Sequence, residues 1–173
     1  MHKIIERLNL QDRLRRENLN RYFLQCGLAS AVVVILLLVL DALTQTVLIA
    51  ALGASTFIAF AVPRSLHSDP RHMIGGYVVG IGAGCLMSLP HAAIDFGDPS
   101  VAHAFLIVFG ALATGLAMLV MVLTKTEHPP AAALALGLVL NEWDFLTLVV
   151  VLAGVIALSI CKRLVLPMLM DLL

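Results

Sequence analysis

Charged side chains are scarce in this sequence. They make up 13% of its 173 residues, whereas soluble domains average about 25%, and 61% of the residues are hydrophobic. So few charges cannot cover a water-facing surface, which excludes an ordinary soluble domain. The net charge is zero, so we expect no nucleic-acid partner. The composition predicts an all-α membrane protein whose surroundings are the lipid bilayer.

Signatures of enzymes and metal proteins are also missing. The three cysteines, Cys26, Cys85 and Cys161, lie far apart inside apolar blocks and have no metal-ligand spacing, so we interpret them as packing residues. The apolar blocks hold no nucleophile with a base, no paired carboxylates and no metal-ligand set, so we expect neither an enzyme nor a cofactor. The polar start lacks the apolar core and cleavage site of a secretory signal, and we expect it to be retained.

Long apolar stretches dominate what is present. Several are shorter than the roughly 20 residues of a full span. We predict six short transmembrane helices in a domain over residues 22–173, with a broken or half-length helix where the fifth stretch begins. Residues 1–21 are predicted to form a cytoplasmic amphipathic segment, although a solvated tail fits equally well. The six stretches are 22–40, 46–62, 73–89, 101–123, 129–140 and 145–166.

The basic residues orient these helices. With six spans and the N-terminus inside, all eleven Lys and Arg residues fall on one side of the membrane. Short loops rich in Lys and Arg stay in the cytoplasm, so both termini are predicted to be cytoplasmic in a bacterial inner membrane. The opposite loops carry acidic residues only, namely Asp41, Asp95, Asp98, Glu142 and Asp144.

The two halves of the chain show a weak similarity. An offset of eighty residues aligns residues 43–46 with 123–126, and Gly53-Ala54-Ser55 with the helix opening at Ala133. Three spans per half would make the halves run in opposite directions, the inverted-repeat design of many transporters. A chance match explains four residues equally well, so two inverted three-helix repeats remain one of two interpretations.

A polar cluster precedes the fifth stretch. Pro129 and Pro130 fit the first helical positions, where a missing N–H costs nothing, and the other N–H groups of that turn could face a small anion. His128 could donate a hydrogen bond or carry a proton, and Lys125 could attract the anion. An ordinary cytoplasmic loop explains the same residues. The cluster comprises Thr124, Lys125, Thr126, Glu127 and His128, and Ala131 follows the two prolines.

These residues carry a family resemblance. The stretch 123–138, with His-Pro-Pro-Ala at 128–131 after Leu-Thr-x-Thr, resembles the signature of the HPP family of integral membrane proteins. Gly53-Ala54-Ser55, residues 61–65, 69–71 and 74–76 fit that family in the same order. The resemblance implies a transporter, and plant and cyanobacterial relatives are described as moving nitrite. Two positions depart from it: Ala131-Ala132 replaces a frequent Gly-Ala, and Tyr77 stands where relatives often have His.

Together, the residues and the resemblance predict transport of a small inorganic anion, nitrite first. The predicted path lies between His128-Pro129-Pro130-Ala131 with residues 124–126 and Gly53-Ala54-Ser55. A membrane scaffold or sensor without transport is the alternative, followed by a cation or metal carrier using Asp41, Glu127 and the histidines. The stripe formed by Gly76, Gly80 and Gly84 predicts a close helix contact, which could join the subunits of a homo-oligomer.

Overall fold

The computed structural model describes residues 16–40, 46–94 and 96–172, and these contain six α-helices and no strand. Two short 3₁₀ turns, Leu66–Ser68 and Leu166–Met168, follow α2 and α6. The all-α prediction is confirmed for this part of the chain. The helices are α1 (Arg16–Leu40), α2 (Thr46–Ala61), α3 (Pro70–Ala93), α4 (Pro99–Thr124), α5 (Pro129–Leu140) and α6 (Phe145–Val165).

Three of the helices, α3, α4 and α6, are long and apolar enough to cross a membrane. The other three contribute shorter apolar segments, at Phe23–Ile35, Ile49–Ala61 and Pro129–Leu140. The structure therefore supports a membrane protein with several apolar helices. A full set of six crossings stays a prediction. The inverted repeat also stays a prediction, because residues 43–45 of its first motif lie outside the described residues.

Helix boundaries differ little from the predicted ones. Helix α1 begins at Arg16, six residues before the predicted start at Tyr22. The proposed amphipathic segment therefore divides into residues 16–21, which belong to α1, and residues 1–15, which lie outside the described residues. Helix α5 has the predicted bounds. Its start was predictable because two prolines mark its first turn.

Aspartates cap the starts of α4 and α6. The carboxylate of Asp98 accepts hydrogen bonds from the backbone and hydroxyl of Ser100, and these bonds hold the pKa of Asp98 below its usual value. The hydroxyl and backbone N–H of Thr147 lower the pKa of Asp144 in the same way. Both carboxylates therefore stay ionised at neutral pH, where they also favour the helix dipoles.

Contacts between helix ends show which ends lie together. The Gln25 side chain of α1 donates to the carbonyls of Phe60, at 2.9 Å, and Met170, at 2.8 Å. The backbone N–H of Leu172 donates to the Ala61 carbonyl at 2.8 Å. The start of α1, the end of α2 and the C-terminal segment therefore meet at one end of the bundle.

The same end gathers the basic residues whose side chains the structure describes. Arg71, at the start of α3, donates to the Thr124 carbonyl at the end of α4, and Lys162 of α6 donates to the Ser68 carbonyl. We call this the basic end and the opposite one the acidic end. The basic end carries Arg21, Arg64, Arg71, Lys125, Lys162 and Arg163, and the acidic end carries Asp98, Glu142 and Asp144.

The half-length helix α5 lies at the centre of the bundle. It packs against α2, α3 and α4, and eight of its twelve residues are buried. Its length is only about 18 Å at the helical rise of 1.5 Å per residue. Residues 126–128 approach it from the basic end without helical structure. The predicted half-length helix at the two prolines is therefore present.

The glycine stripe of α3 packs against α5 of the same chain. A Cβ atom at Gly76 would lie 2.7 Å from the His128 Cβ, and one at Gly84 would lie 2.8 Å from the Leu138 Cβ. A Cβ at Gly80 would overlap the Ala131 carbonyl. The prediction that this stripe joins subunits is therefore wrong about the face, because α5 already covers it. A homo-oligomer through another surface stays a prediction.

Candidate functional site

His128 is buried at the start of α5, with 1% of its surface exposed. Its Nδ1 atom lies 2.9 Å from the His67 carbonyl oxygen, and its Nε2 atom lies 2.9 Å from the Ser55 hydroxyl. A carbonyl can only accept, so Nδ1 carries a hydrogen. In the neutral ring Nε2 is then an acceptor, and the Ser55 hydroxyl donates to it.

Tyr77 of α3 completes the site. Its hydroxyl lies 2.8 Å from the Ser55 hydroxyl, and neither residue is exposed to solvent. Because the single hydroxyl hydrogen of Ser55 is donated to neutral His128, the Tyr77 hydroxyl donates to Ser55. The tyrosine ring also packs on the imidazole, with centroids 5.8 Å apart. We call Ser55, Tyr77 and His128 the polar triad.

Glycines of α3 create the space for this arrangement. A Cβ at Gly75 would lie 2.7 Å from the Thr126 methyl group, and Gly76 similarly admits His128. His128 occupies the N-cap position of α5, but its side chain makes no capping bond and points to Ser55 and the His67 carbonyl instead. The sequence therefore brings an unwound segment close to α3.

The first turn of α5 differs from an open anion-binding turn. Pro129 and Pro130 have no N–H, and the N–H of Ala131 donates to the His128 carbonyl at 2.9 Å. The first three helical positions therefore have no free backbone donor. The polar atoms available at this end of α5 belong to side chains, chiefly those of the polar triad.

The structure separates the three predicted small residues of α2. Ser55 faces His128, whereas Ala54 is exposed on the outer surface. Gly53 is half-buried, and a Cβ added to it would have no atom within 4 Å. Ser55 is thus the only one of the three that touches His128. Its neighbour Thr56 is buried too, but the Thr56 hydroxyl donates to the Leu52 carbonyl of its own helix.

The predicted residues between α4 and α5 lie at the basic end. Thr124 and Thr126 share a hydrogen bond of 2.8 Å between their hydroxyls, and Thr126 is buried. Lys125 is exposed and adopts the left-handed conformation, with φ 55° and ψ 54°. Its backbone N–H bonds to the last turn of α4, so this lysine ends the helix and leaves its ammonium group at the surface.

Histidines connect the triad to this surface. The Nδ1 atom of His67 donates to the Glu127 carbonyl at 2.9 Å, and His72 Nε2 lies 3.5 Å from the Glu127 carboxylate. Among the described residues, no group of three or more His, Cys, Asp and Glu side chains could hold a metal ion. Asp41, a residue named for the cation-carrier alternative, lies outside the described residues.

Two cavities flank α5. One of about 470 Å³ lies beside His128 between α4 and α5, and most of its wall is apolar. The other, about 660 Å³, lies at the acidic end beyond the C-terminus of α5 and contains more polar groups. Ser55 and His128 are in direct contact, so the triad is closed in this conformation. Polar residues of the second cavity are Ser88, His91, Asn141, Glu142 and Trp143.

Comparison with known proteins identifies the family. The profile of the HPP transmembrane region matches residues 15–168. The chain belongs to the HPP family. A transmembrane protein of Dictyostelium discoideum is 35% identical over 97 residues, which are 56% of this chain and 31% of that protein. The HPP chain thus matches less than a third of that relative's length. No solved structure matches the HPP chain.

The HPP motif gains a physical meaning from the geometry. His128 supplies the buried imidazole, Pro129 and Pro130 begin the half-length helix, and Ala131 packs under the glycines of α3. The departure at Tyr77 falls on the triad itself, where the tyrosine hydroxyl bonds to Ser55. The sequence did contain a signal for Tyr77, because this tyrosine stands where relatives often have His.

Lys162 is a second residue that the sequence did not place at the site. It is 5% exposed, and its ammonium group donates to the Ser68 carbonyl at 2.8 Å. Ser68 follows His67, whose carbonyl accepts from His128, so the lysine holds the turn that fixes the imidazole. From its position at the end of an apolar stretch, only a membrane-flanking charge could be expected.

Proposed function

We propose that this HPP protein transports a small inorganic anion, nitrite first, across a bacterial inner membrane, with the basic end in the cytoplasm. The observation that carries the proposal is the polar triad, which lies buried at the start of a half-length helix within an apolar bundle. Ionisable residues inside membrane bundles face the interior and mark substrate or ion pathways. His128 is such a residue.

The chemistry of the triad suits an oxyanion. Replacing buried hydrogen-bonded partners by apolar groups of the same shape can be nearly neutral for stability, so folding alone does not require polar side chains at these three positions. The two hydroxyls can each donate to an anion's oxygen, and the imidazole can do so from Nε2 when it is protonated. For an anion to enter, the contact between Ser55 and His128 must open, and the anion then replaces it.

Charge at the basic end supports both the substrate class and the orientation. Arg71 and Lys125 are exposed beside the segment that leads to His128, where they raise the local concentration of anions. Lys and Arg in short loops keep those loops in the cytoplasm. The half-length central helix is also typical of transporters, whose interrupted helices end near the substrate.

The test is nitrite uptake into proteoliposomes. We expect His128→Ala to lower the initial rate about tenfold or more, because a hydrogen bond to a charged group contributes about 1.5–3 kcal/mol. Ser55→Ala should also lower it. The matched control is Thr56→Ala, which removes a buried hydroxyl from the same helix without touching the triad. Uptake no faster than in empty vesicles would refute transport of nitrite.

One observation favours a scaffold or sensor instead. The triad is closed, and the cavity beside it has a mostly apolar wall, whereas an anion path needs polar lining across the bilayer. A scaffold in which the triad is purely structural predicts no flux and unfolding at lower temperature in every triad variant. A transporter predicts that Tyr77→Phe slows uptake in protein that remains folded.

A further inference from the structure

The hydrogen bonds of the polar triad can be satisfied in two ways. In the first, His128 is neutral: Nδ1–H donates to the His67 carbonyl, Ser55 donates to Nε2, and Tyr77 donates to Ser55. The Ala51 carbonyl also lies 3.0 Å from the Ser55 hydroxyl, but the single hydroxyl hydrogen cannot serve both acceptors. A second arrangement of these hydrogen bonds is therefore available, in which the Ser55 hydroxyl donates to the Ala51 carbonyl.

In the second arrangement His128 is protonated. The new Nε2–H donates to the Ser55 oxygen, and the Ser55 hydroxyl turns toward the Ala51 carbonyl. The Ser55 oxygen has two lone pairs, so it can accept from His128 and from Tyr77 at the same time. Every donor of the triad keeps an acceptor in both arrangements. Rotation of one hydroxyl is the only change that a proton on His128 requires.

The surroundings of His128 contain little compensating charge. Tyr77 and His72 face it from α3, His67 from the 3₁₀ turn, and Glu127 from the preceding residue. The described residues of α2, α4 and α5 place no titratable side chain beside it. The ammonium of Lys162, from α6, lies behind Ser68. The Glu127 carboxylate lies 3.5 Å from His72 Nε2, and the hydrogen-bond partners of His128 are the Ser55 hydroxyl and the His67 carbonyl. A proton on His128 therefore puts a positive charge into the bundle interior without a carboxylate among its hydrogen-bond partners in the described residues.

We propose that His128 binds a proton during transport and that the anion crosses together with it, as a proton symport. This inference rests on the proposed function. A buried imidazolium without a counter-ion is costly, and a bound anion supplies the missing charge. The proton therefore raises the affinity for the anion, and by linkage the anion raises the affinity for the proton. Water on one side gives the proton to Nε2, and water on the other receives it.

The first experiment measures both species in proteoliposomes. At pH 7.5, where little nitrite is protonated in solution, adding nitrite outside should acidify the lumen, as reported by a trapped pH dye. One proton per anion also predicts about tenfold accumulation of nitrite for each pH unit of an inward proton gradient. Empty vesicles give the background leak, and Thr56→Ala should behave as the parent protein does.

His128→Gln separates coupling from transport. Glutamine can hydrogen-bond to Ser55 but cannot take up a proton, so this variant should lose lumen acidification and the response to a pH gradient. If the parent protein takes up nitrite at a rate independent of the gradient and without moving protons, the symport inference is wrong, while anion transport stands.

A spectroscopic measurement covers the case in which nitrite is not transported. In ¹⁵N-histidine-labelled protein in bilayers, the His128 signal, identified by its loss in His128→Gln, should show the neutral tautomer with hydrogen on Nδ1. It should convert to the charged form as pH falls, and Ser55→Ala should shift the midpoint. Hydrogen on Nε2 in the neutral ring, or no conversion above the pH at which the protein unfolds, would overturn the proton site.

Discussion

Lys125 holds an unusual backbone conformation at the end of α4. Its φ of 55° lies in the left-handed region, which costs residues with a Cβ about 1–2 kcal/mol relative to the right-handed helix. Glycine is the residue usually found where a helix ends in this way. A lysine at this position therefore lowers the stability of the protein, and it places a surface charge next to the segment that leads to His128.

Two substitutions separate the strain from the charge. Lys125→Gly should stabilise the detergent-solubilised protein by about 1 kcal/mol, because glycine adopts this conformation without the clash. Lys125→Ala removes the same charge but keeps the Cβ, so it should not stabilise. Unfolding temperatures measure the first effect. Both variants should slow nitrite uptake equally at low salt, and unequal rates would contradict a purely electrostatic role for the lysine.

The contribution of the buried Lys162 to stability can be measured against that of Arg163, its exposed neighbour in sequence. Lys162→Met should destabilise the protein by about 1–3 kcal/mol, because the Ser68 carbonyl loses its donor. Arg163→Met is the control: Arg163 is exposed, so its replacement should change stability by no more than about 0.5 kcal/mol. Equal unfolding midpoints for the two variants would show that the buried ammonium contributes nothing.

At the scale of elements, the contact between α3 and α5 depends on glycines. Gly80→Ala should weaken this contact, because its methyl group would overlap the Ala131 carbonyl, a backbone atom that cannot move alone. Gly82→Ala is the matched control on the same helix, since Gly82 is exposed and no atom lies within 4 Å of its added Cβ. The control should stabilise by up to about 1 kcal/mol through helix propensity.

Thermal unfolding in detergent distinguishes the two glycine variants. Opposite shifts are expected, downward for Gly80→Ala and upward for Gly82→Ala. If Gly80→Ala unfolds as the parent protein does, α5 does not lie against α3 in solution, and the polar triad that depends on this contact would need another explanation.

Local sequence signals predicted the elements better than their partners. Pro129 and Pro130 mark the start of α5 because only the first helical turn tolerates missing N–H groups. The glycine stripe predicted a close contact correctly, but its spacing carries no information about which helix fills it. Ser55 and His128 are 73 residues apart, so their hydrogen bond follows from the packing of α2, α3 and α5, which no local pattern encodes.

At the scale of the whole molecule, charge placement was the most informative feature of the sequence. The described basic residues lie at one end of the bundle, as their loop positions indicated, because each helix reverses the direction of the chain. Lys162 differs from the other basic residues at this end because its side chain is buried. A lysine at a helix end is expected to reach the membrane surface, but here the turn that carries His67 covers it.

Cysteine labelling tests the orientation of the two ends. In a variant without the three native cysteines, a membrane-impermeant maleimide should label Ser100→Cys, at the acidic end, in intact bacterial cells. Arg64→Cys, at the basic end, should react only after the membrane is permeabilised. Both positions are exposed, so access and not burial decides the result. Labelling of Arg64→Cys in intact cells would place the basic end outside.

The short central helix also determines where a membrane voltage would act. Helix α5 is about 18 Å long, shorter than a hydrocarbon core of about 30 Å, and a cavity of about 660 Å³, large enough to hold water, lies beyond its C-terminus. With water in that cavity, the electric field across a membrane would fall mainly between the cavity and the polar triad. A lone charge crossing this distance would exchange about 2.3 kcal/mol per 100 mV with the field, whereas an anion paired with a proton would cross it without electrical work.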